Sequence, residues 1–348
     1  MDIRELMVEA VKAGASDLHL VSNSPPMMRV NGALQAMNHP ALGAQEIAPM
    51  IVGLLNDDQR QRFARDWELD FSAAVRDVGR FRANVHRQRG AIEAAFRVVN
   101  DKIRTLRQLG LPPIVEELAR RDQGLILLTG PTGSGKSTTL AAMVDQINNE
   151  RQCMIITIED PIEFIFRNKN CVIKQREVGL DTKSFAEALR HSLRQDPDVI
   201  VVGEMRDLET IATALTAAET GHLVLATIHT PDVVQTVDRI IDVFPPHQQN
   251  QVRLQFANTI QGIVAQQLLP ITGGKGRVLA TEILVATLAV RKILRTNKTE
   301  QLMSTIQTSQ DVGMMSMDKS LKQLYQRGLI TYDMAVSKAR FPDNFDQV

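Results

Sequence analysis

Hydrophobic and polar residues alternate with two different periods along the chain. In the first hundred residues, helical spacing predicts an amphipathic helix at residues 1–14, and another helical stretch is expected near Ile47–Arg65. Short runs with apolar residues at every second position predict the strands Asp17–Val21, Met27–Val30, Leu69–Val75, Gly79–Gln88 and Ala91–Val99. Because few helices separate the later strands, their sheet should be largely antiparallel, within a small α+β domain.

A second pattern begins at Gln123, where continuous apolar runs alternate with helical stretches. The predicted strands are Leu125–Thr129, Met154–Ile158, Val199–Val202, Leu223–Ile228 and Val278–Val285. Such alternation is typical of an α/β domain with a parallel sheet covered by helices. After Ala286 the chain is predicted to be helical, with breaks at Gly313 and Gly328.

The connection between the two patterns ends in Gly110, Pro112 and Pro113, which punctuate the chain before a helix predicted at Ile114–Arg121. We therefore predict an N-terminal domain at residues 1–100, a linker at 101–113 and a larger α/β domain at 114–348. A chain of 348 residues is long enough for two such domains.

The composition excludes several classes of protein. The 40 basic and 40 acidic residues balance, so no global attraction to nucleic acid or anionic lipid is expected. The longest apolar runs have strand length, well short of the roughly 20 residues that span a bilayer. The N-terminal residues resemble neither a signal peptide nor a transit peptide. The two cysteines, Cys153 and Cys171, are not at metal-ligand spacing and are expected to be apolar fillers in a reducing cytoplasm.

The most specific chemical signal is GPTGSGKS at residues 130–137, which matches the phosphate-loop pattern G-x-x-x-x-G-K-[ST]. It follows the apolar run LILLT and opens a helical stretch. Backbone N–H groups and the helix dipole would attract phosphate oxygens. Lys136 should reach the β- and γ-phosphates of ATP, and Ser137 should ligate Mg²⁺. The predicted nucleotide-binding residues are Gly130, Pro131, Thr132, Gly133, Ser134, Gly135, Lys136, Ser137 and Thr138.

Two acidic groups follow predicted strands. Glu204 comes directly after VIVVG, in the position of an acid that orients the attacking water, and the segment EDPIE at 159–163 follows MIITI. The carboxyl ends of parallel strands face the ligand crevice, so both groups could serve the phosphate loop. For Asp160, which precedes Pro161, a role in a turn stays open.

Two histidines flank the strand LVLATI. His229 ends it and should lie near the carboxyl edge of the sheet, where it could sense the γ-phosphate. His222 begins the strand and should lie at the opposite end unless the preceding turn folds back. A surface or core role for His222 is therefore as consistent with its position as a functional one.

Residues 79–86, GRFRANVH, alternate strictly. Phe81, Ala83 and Val85 should face the core of their own domain, whereas Arg80 and Arg82 should face away from it. Two explanations stay open. The arginines could belong to the solvated face of a half-exposed sheet, or they could act as arginine fingers on phosphates in a neighbouring subunit.

Sequence blocks over essentially the whole chain resemble the secretion ATPase superfamily, and within it the branch of type IV pilus retraction ATPases. Together these blocks are far more specific than the phosphate loop. They are GASDLHL (14–20), GRFRANV (79–85), GPTGSGKST (130–138), IEDPIEF (158–164), QREVGLDT (175–182), the long block 188–210, TAAETGHLVLATIHT (216–230), DRIIDVFP (238–245) and the tail GLITYDMAVSKA.

The resemblance implies a homohexamer whose subunits have a PAS-like N-terminal domain and a RecA-like ATPase domain, with ATP bound between the two. By motif, Glu204 matches the catalytic acid, and Glu163 matches an acid that helps Ser137 hold Mg²⁺ or water. His222 and His229 match a histidine pair of the family. The catalytic residues so implied are Lys136, Glu163, Glu204, His222, His229, Arg80 and Arg82.

The resemblance also implies a cytoplasmic motor, peripheral to the inner face of the cytoplasmic membrane, that powers pilus disassembly and twitching motility. The implied partners are the other subunits and an inner-membrane pilus platform protein. Neither nucleic-acid binding nor membrane insertion is expected.

Some positions depart from the family pattern. Residues 289–296 read AVRKILRT where AIRNLIRE is common, Gln195 stands where Glu is common, and VAQQLLP with GGKGR (264–277) leans toward the accessory retraction ATPases. The choice between main and accessory motor therefore stays open, as does a regulatory subunit that binds ATP without hydrolysing it. The tetracysteine element of the extension and type II secretion relatives is absent from the sequence.

Overall fold

A computed structural model describes residues 2–30, 32–75, 78–99, 102–274 and 276–345, which fold as two compact units. The first unit comprises Met1–Lys102 and the short segment Pro161–Ile165, and the second comprises Ile103–Asp160 and Phe166–Val348. The sequence predicts contiguous domains, so the grouping of 161–165 with the first unit is a difference. Because proline cannot donate to a strand ladder, the preceding strand stops at Glu159 and the chain is released from the second sheet.

The first unit contains a six-stranded, wholly antiparallel sheet in the order β3-β2-β1-β6-β5-β4. Its strands are β1 (Asp17–Leu20), β2 (Met27–Val30), β3 (Ala33–Ala36), β4 (Glu68–Val75), β5 (Gly79–Gln88) and β6 (Ala91–Val98). Alternation places Phe81, Ala83 and Val85 of β5 in the core. The predicted antiparallel α+β unit is confirmed. Sequence reading missed β3 because all four of its residues are exposed and show no apolar alternation.

The helices of the first unit cover the apolar face of this sheet. They are α1 (Ile3–Lys12), α2 (Ala44–Val52) and α3 (Asp57–Asp66). In α1, Asp2 and Glu5 form a capping box, and the buried residues recur at helical spacing. The single helix expected near 47–65 is two helices, since Gly53 ends α2 and the Asn56 side chain caps α3 by accepting the Gln59 N–H at 2.8 Å.

The second unit contains a seven-stranded sheet in the order β13-β12-β7-β11-β10-β8-β9. Every pairing is parallel except β12 with β13. Its strands are β7 (Gly124–Thr129), β8 (Met154–Glu159), β9 (Val172–Glu177), β10 (Val199–Val202), β11 (Leu223–Ile228), β12 (Ile260–Pro270) and β13 (Arg277–Val285). All residues of β7, β10 and β11 are buried, as helices on both faces of a parallel sheet require. The predicted α/β fold class is confirmed.

Sequence reading missed two strands of this sheet. β9 is an edge strand in which lysine, glutamine and arginine replace an apolar run. β12 begins immediately at the end of the preceding helix, with no turn signal, and carries two glutamines at Gln266 and Gln267. β12 is a strand because it pairs with β7 on one side and with β13 on the other. Its sequence shows no alternating pattern that would predict this.

The helices of the second unit are α4 (Pro113–Ala119), α5 (Lys136–Glu150), α6 (Phe185–Ser192), α7 (Leu208–Glu219), α8 (Val233–Asp242), α9 (Pro246–Thr259), α10 (Leu288–Arg295), α11 (Leu302–Thr308), α12 (Met317–Gln326) and α13 (Tyr332–Lys338). The helical tail predicted after Ala286 is confirmed, with 3₁₀ turns at Thr299–Gln301, Gln310–Val312 and Pro342–Phe345. Within the described ranges, no helix is long and apolar enough to cross a membrane.

Candidate nucleotide-binding site

The phosphate-loop sequence connects β7 to α5 at the carboxyl edge of the parallel sheet. Gly130 has a φ of +139°, and a Cβ there would lie 2.4 Å from the carbonyl oxygen of Gln266 on β12. Gly135 has a φ of +93° and precedes the first residue of α5. Glycine is required at both positions, at Gly130 by close packing and at Gly135 by the left-handed backbone. The loop therefore ends at a helix N-terminus whose N–H groups can bind phosphate.

Lys136 is folded into this loop. Its side chain is buried, and Nζ donates to the carbonyl oxygens of Gly130 at 2.8 Å and Pro131 at 3.1 Å. The loop thus positions a cation within itself, because a buried ammonium group needs oxygen partners. Ser137 and Thr138 follow in the first turn of α5 and are half-buried. The structure brings together all of the predicted loop residues, 130–138.

Glu204 lies just beyond the end of β10, at the same sheet edge. Gly203, which precedes Glu204, packs closely against β8. Its N–H donates to the Ile158 carbonyl at 2.7 Å, and a Cβ at Gly203 would lie 3.0 Å from that oxygen. The Glu204 carboxylate accepts a hydrogen bond from Arg206 at 2.6 Å and lies 3.4 Å from Nε2 of His229. Burial opposes ionisation, but the Arg206 hydrogen bond and the charges of His229, Arg206 and Lys136 outweigh it and lower the pKa of Glu204.

His229 links this carboxylate to the phosphate loop. Its Nε2 faces Glu204, while Nδ1 lies 3.5 Å from the hydroxyl of Thr132. Burial, followed by the charge of Lys136, lowers the pKa of His229, although Glu204 opposes the shift. The predicted position of His229 at the carboxyl edge is what the structure has.

His222 occupies a different place. It precedes β11, its carbonyl accepts the N–H of Gly124 at 3.0 Å, and its Nδ1 lies 3.0 Å from the carbonyl of Ala217. Since Gly124 begins β7 and the phosphate loop follows the end of β7, His222 lies at the amino edge of the sheet. The preceding turn does not fold back. A functional role for His222 stays a prediction.

The three acidic residues at the end of β8 and just after it lie in different surroundings. Glu159 accepts from the hydroxyl of Thr157 at 2.6 Å and from the Gln175 amide at 3.1 Å. The hydrogen bond and charge of Glu204 raise the pKa of Arg206 most, and the charge of Asp160 adds to that shift. Glu163 has an exposed side chain and belongs to the 161–165 segment of the first compact unit.

The arginine strand β5 shows the predicted alternation, with Arg82 exposed and Arg80 partly buried. Arg82 stands directly opposite Arg97 of β6, and Arg97 donates from Nε to Asp17 at 2.9 Å. Like charges directly opposite one another across a sheet cost stability. Asp17 offsets that cost at Arg97, and the Arg82 side chain stays exposed on the outer face of the sheet.

Several residues of the site gave no sequence signal. Arg206 is the hydrogen-bond donor to Glu204. A buried chain of hydroxyls, in which Thr129 lies 2.6 Å from Thr230 and Thr230 lies 2.7 Å from Thr236, ties the last residue of β7 to the residue after His229 and to α8. Threonines at strand ends and in helix turns are common. Only tertiary pairing between residues a hundred positions apart reveals this chain.

A phosphate loop with an embedded lysine, opposite a strand-end glutamate on a parallel sheet, defines a P-loop nucleotide-binding protein. Residues 1–334 match the family model for type II/IV secretion system protein, and the chain belongs to that family. Its α/β fold with a RecA-like parallel sheet matches solved structures of ATPases, PilT among them.

Relatives that cover nearly the whole chain are type IV pilus ATPases. The chain is 48% identical over 345 residues to the type IV pilus retraction ATPase PilT of Pseudomonas aeruginosa, covering 99% of this chain and 100% of that protein. It is 40% identical to the type IV pilus ATPase PilU of the same organism, over 97% of this chain and 89% of that protein. A crystal structure of the pilus retraction motor PilT with bound ADP matches with a TM-score of 0.93 at 48% identity, covering 100% of both chains.

Proposed function

We propose that this chain is an ATPase subunit of a hexameric motor that powers type IV pilus retraction, located at the cytoplasmic side of the membrane and acting on an inner-membrane platform protein. The observation that carries the proposal is the grouping of Lys136, Glu204 and His229 at one sheet edge. The full-length identity of 48% to a retraction ATPase supports the same activity.

The residues divide the chemistry among them. The N–H groups of the loop and the Lys136 ammonium bind the β- and γ-phosphates and offset developing charge on the transferred group. Glu204, kept ionised by Arg206 and His229, orients the attacking water and accepts its proton. His229 contacts both Glu204 and Thr132, so a change in the conformation of the phosphate loop can alter the position of the Glu204 carboxylate.

Mg²⁺ fits the hydroxyl of Ser137 in the first turn of α5, because the serine that follows the lysine of a phosphate loop is a ligand of this ion. Ser137 would hold it, and a role for Glu163 in binding the ion is a prediction of the family resemblance alone. When bound, the ion neutralises charge on the phosphates.

The proposal favours the main motor over the accessory one, since identity to PilT is 48% and to PilU 40%. A deletion strain that lacks this chain should retain surface pili and lose retraction. Complementation with the wild-type gene should restore retraction without any accessory paralogue. Retraction that persists in the deletion strain would assign the chain to the accessory role.

Replacing Arg206 by alanine should shift the pH dependence of ATP hydrolysis. Arg206 lowers the pKa of Glu204, so its loss raises that pKa, and the carboxylate becomes protonated at a higher pH. The acidic limb of the kcat/KM profile should therefore move to higher pH. Arg190→Ala is the matched control, since Arg190 pairs with Glu209 on an exposed surface. If the acidic limbs of the two pH profiles fall at the same pH, Arg206 does not control the pKa of the catalytic carboxylate.

Mixed rings test the arginine strand. If Arg82 contacts nucleotide bound to a neighbouring subunit, rings that combine Glu204→Gln subunits with Arg82→Ala subunits contain some sites with both groups intact. ATPase activity should then exceed that of either variant alone, and phosphate release across mixing ratios measures it. A mixture no more active than its two components would leave Arg82 on a solvated face.

A further inference from the structure

β12 forms a support beneath the phosphate loop. It runs parallel to β7, with Ala265 paired to Thr129, so Gln266 lies level with Gly130. The carbonyl of Gln266 packs so closely on Gly130 that a Cβ would not fit, and Leu268 lies against Gly135, where a Cβ would approach its Cδ1 to 3.3 Å. Both ends of the loop therefore rest on this one strand.

The side chain of Gln266 continues this support into α5. It is fully buried, and its amide Nε2 donates to the hydroxyl of Thr139 at 2.8 Å. Thr139 is also buried, and its N–H donates to the Gly135 carbonyl at 3.0 Å, which closes the first turn of α5. That turn carries Lys136, the cation of the loop. One hydrogen bond thus connects the support strand to the turn that would bind phosphate.

Stability alone does not explain a glutamine at this position. Among the residues described, Oε1 of Gln266 has no hydrogen-bond partner although it is buried. A buried polar atom without a partner costs free energy, and a methionine of similar length would avoid that cost. A glutamine at this position is explained if its hydrogen bond holds Thr139 in place.

We propose that Gln266 is a positioning residue that holds the first turn of α5 in the conformation that binds nucleotide phosphates. This inference rests on the proposed nucleotide site at the loop. Without the Gln266–Thr139 hydrogen bond, the turn has to be ordered by the nucleotide itself, so nucleotide affinity falls. The effect should appear in the Kd for ADP and in KM for ATP more than in kcat.

The test is a double-mutant cycle on full-length protein, with the Kd for Mg-ADP measured by calorimetry. Gln266→Met and Thr139→Val should each weaken binding by about 5- to 30-fold, the range that corresponds to one or two kcal/mol. The double variant should be no weaker than either single variant, because both remove the same hydrogen bond. Thr139→Val keeps the side-chain shape and carries the test if Gln266→Met does not fold.

Gln267→Met is the matched control, since Gln267 is the next residue of β12 and points to the opposite face. It should bind Mg-ADP like the wild type. The inference is overturned if Gln266→Met binds as tightly as Gln267→Met, or if the two losses multiply in the double variant. Lys136→Ala is measured in parallel. Wild-type affinity in that variant would instead overturn the nucleotide-site assignment.

Discussion

Lys136→Ala should abolish measurable ATP hydrolysis and leave the chain folded. The ammonium is held inside the loop by two carbonyl oxygens, so the site is organised around a cation before phosphate arrives. Removing a preorganised group that stabilises transition-state charge costs about 100- to 1,000-fold in kcat. The lost contact to the bound phosphates weakens ATP binding as well, because hydrogen bonds to charged groups are worth about 1.5–3 kcal/mol.

Phosphate release at saturating ATP measures the first effect, and calorimetry with ATP measures the second. Lys174→Ala is a suitable control, because Lys174 is an exposed lysine on the edge strand β9 of the same sheet. Its turnover should equal that of the wild type. Thermal unfolding of the nucleotide-free variants distinguishes a lost contact from a lost fold. Turnover by folded Lys136→Ala at the wild-type rate would place the chemistry elsewhere.

The part of the site that sequence predicts is local in the chain. The strand, loop and helix around Gly130–Ser137 are consecutive, so the pattern carries both the residues and their placement. Glu204 and His229 were predictable for a related reason. Each directly follows an apolar run, and the carboxyl ends of parallel strands meet at one edge.

The rest of the site depends on pairings that no local pattern encodes. Gln266 supports the loop only because β12 lies beside β7, more than a hundred residues earlier in the chain. Two consecutive glutamines gave no reason to distinguish the buried one from its neighbour. Arg97 opposes Arg82 through the register of β5 with β6, and a one-residue change of that register would separate them.

The structure also separates the two histidines that the family resemblance joins. His229 and His222 flank the same six-residue strand and are seven residues apart, which places them at opposite edges of the sheet, roughly 23 Å apart at about 3.3 Å per residue. His229 contacts the acid and the loop, whereas the ring of His222 contacts the carbonyl of Ala217 in the last turn of α7. The two histidines therefore cannot contact the same bound group within one subunit.

Glu204→Gln should stop hydrolysis while ATP still binds. Glutamine preserves the shape of the side chain and can still accept from Arg206, so the Lys136 loop that binds phosphate is left intact. What is lost is the ability to accept a proton from water. General-base catalysis typically contributes about 100- to 10,000-fold, and kcat should fall by that factor. Calorimetry with ATP should give a Kd close to the wild-type value.

The two variants are informative together because they separate ATP binding from ATP hydrolysis at the same site. Lys136→Ala should lose both binding and turnover, whereas Glu204→Gln should lose turnover alone, because the lysine contacts the phosphates and the glutamate contacts the water. Glu209→Gln is the control for the second variant. That glutamate pairs with Arg190 on an exposed surface five residues further on, and its neutralisation should leave kcat unchanged. If Glu204→Gln hydrolyses ATP as fast as Glu209→Gln, the strand-end carboxylate is not the base, and the lowered pKa that Arg206 and His229 impose on it serves only the ion pair.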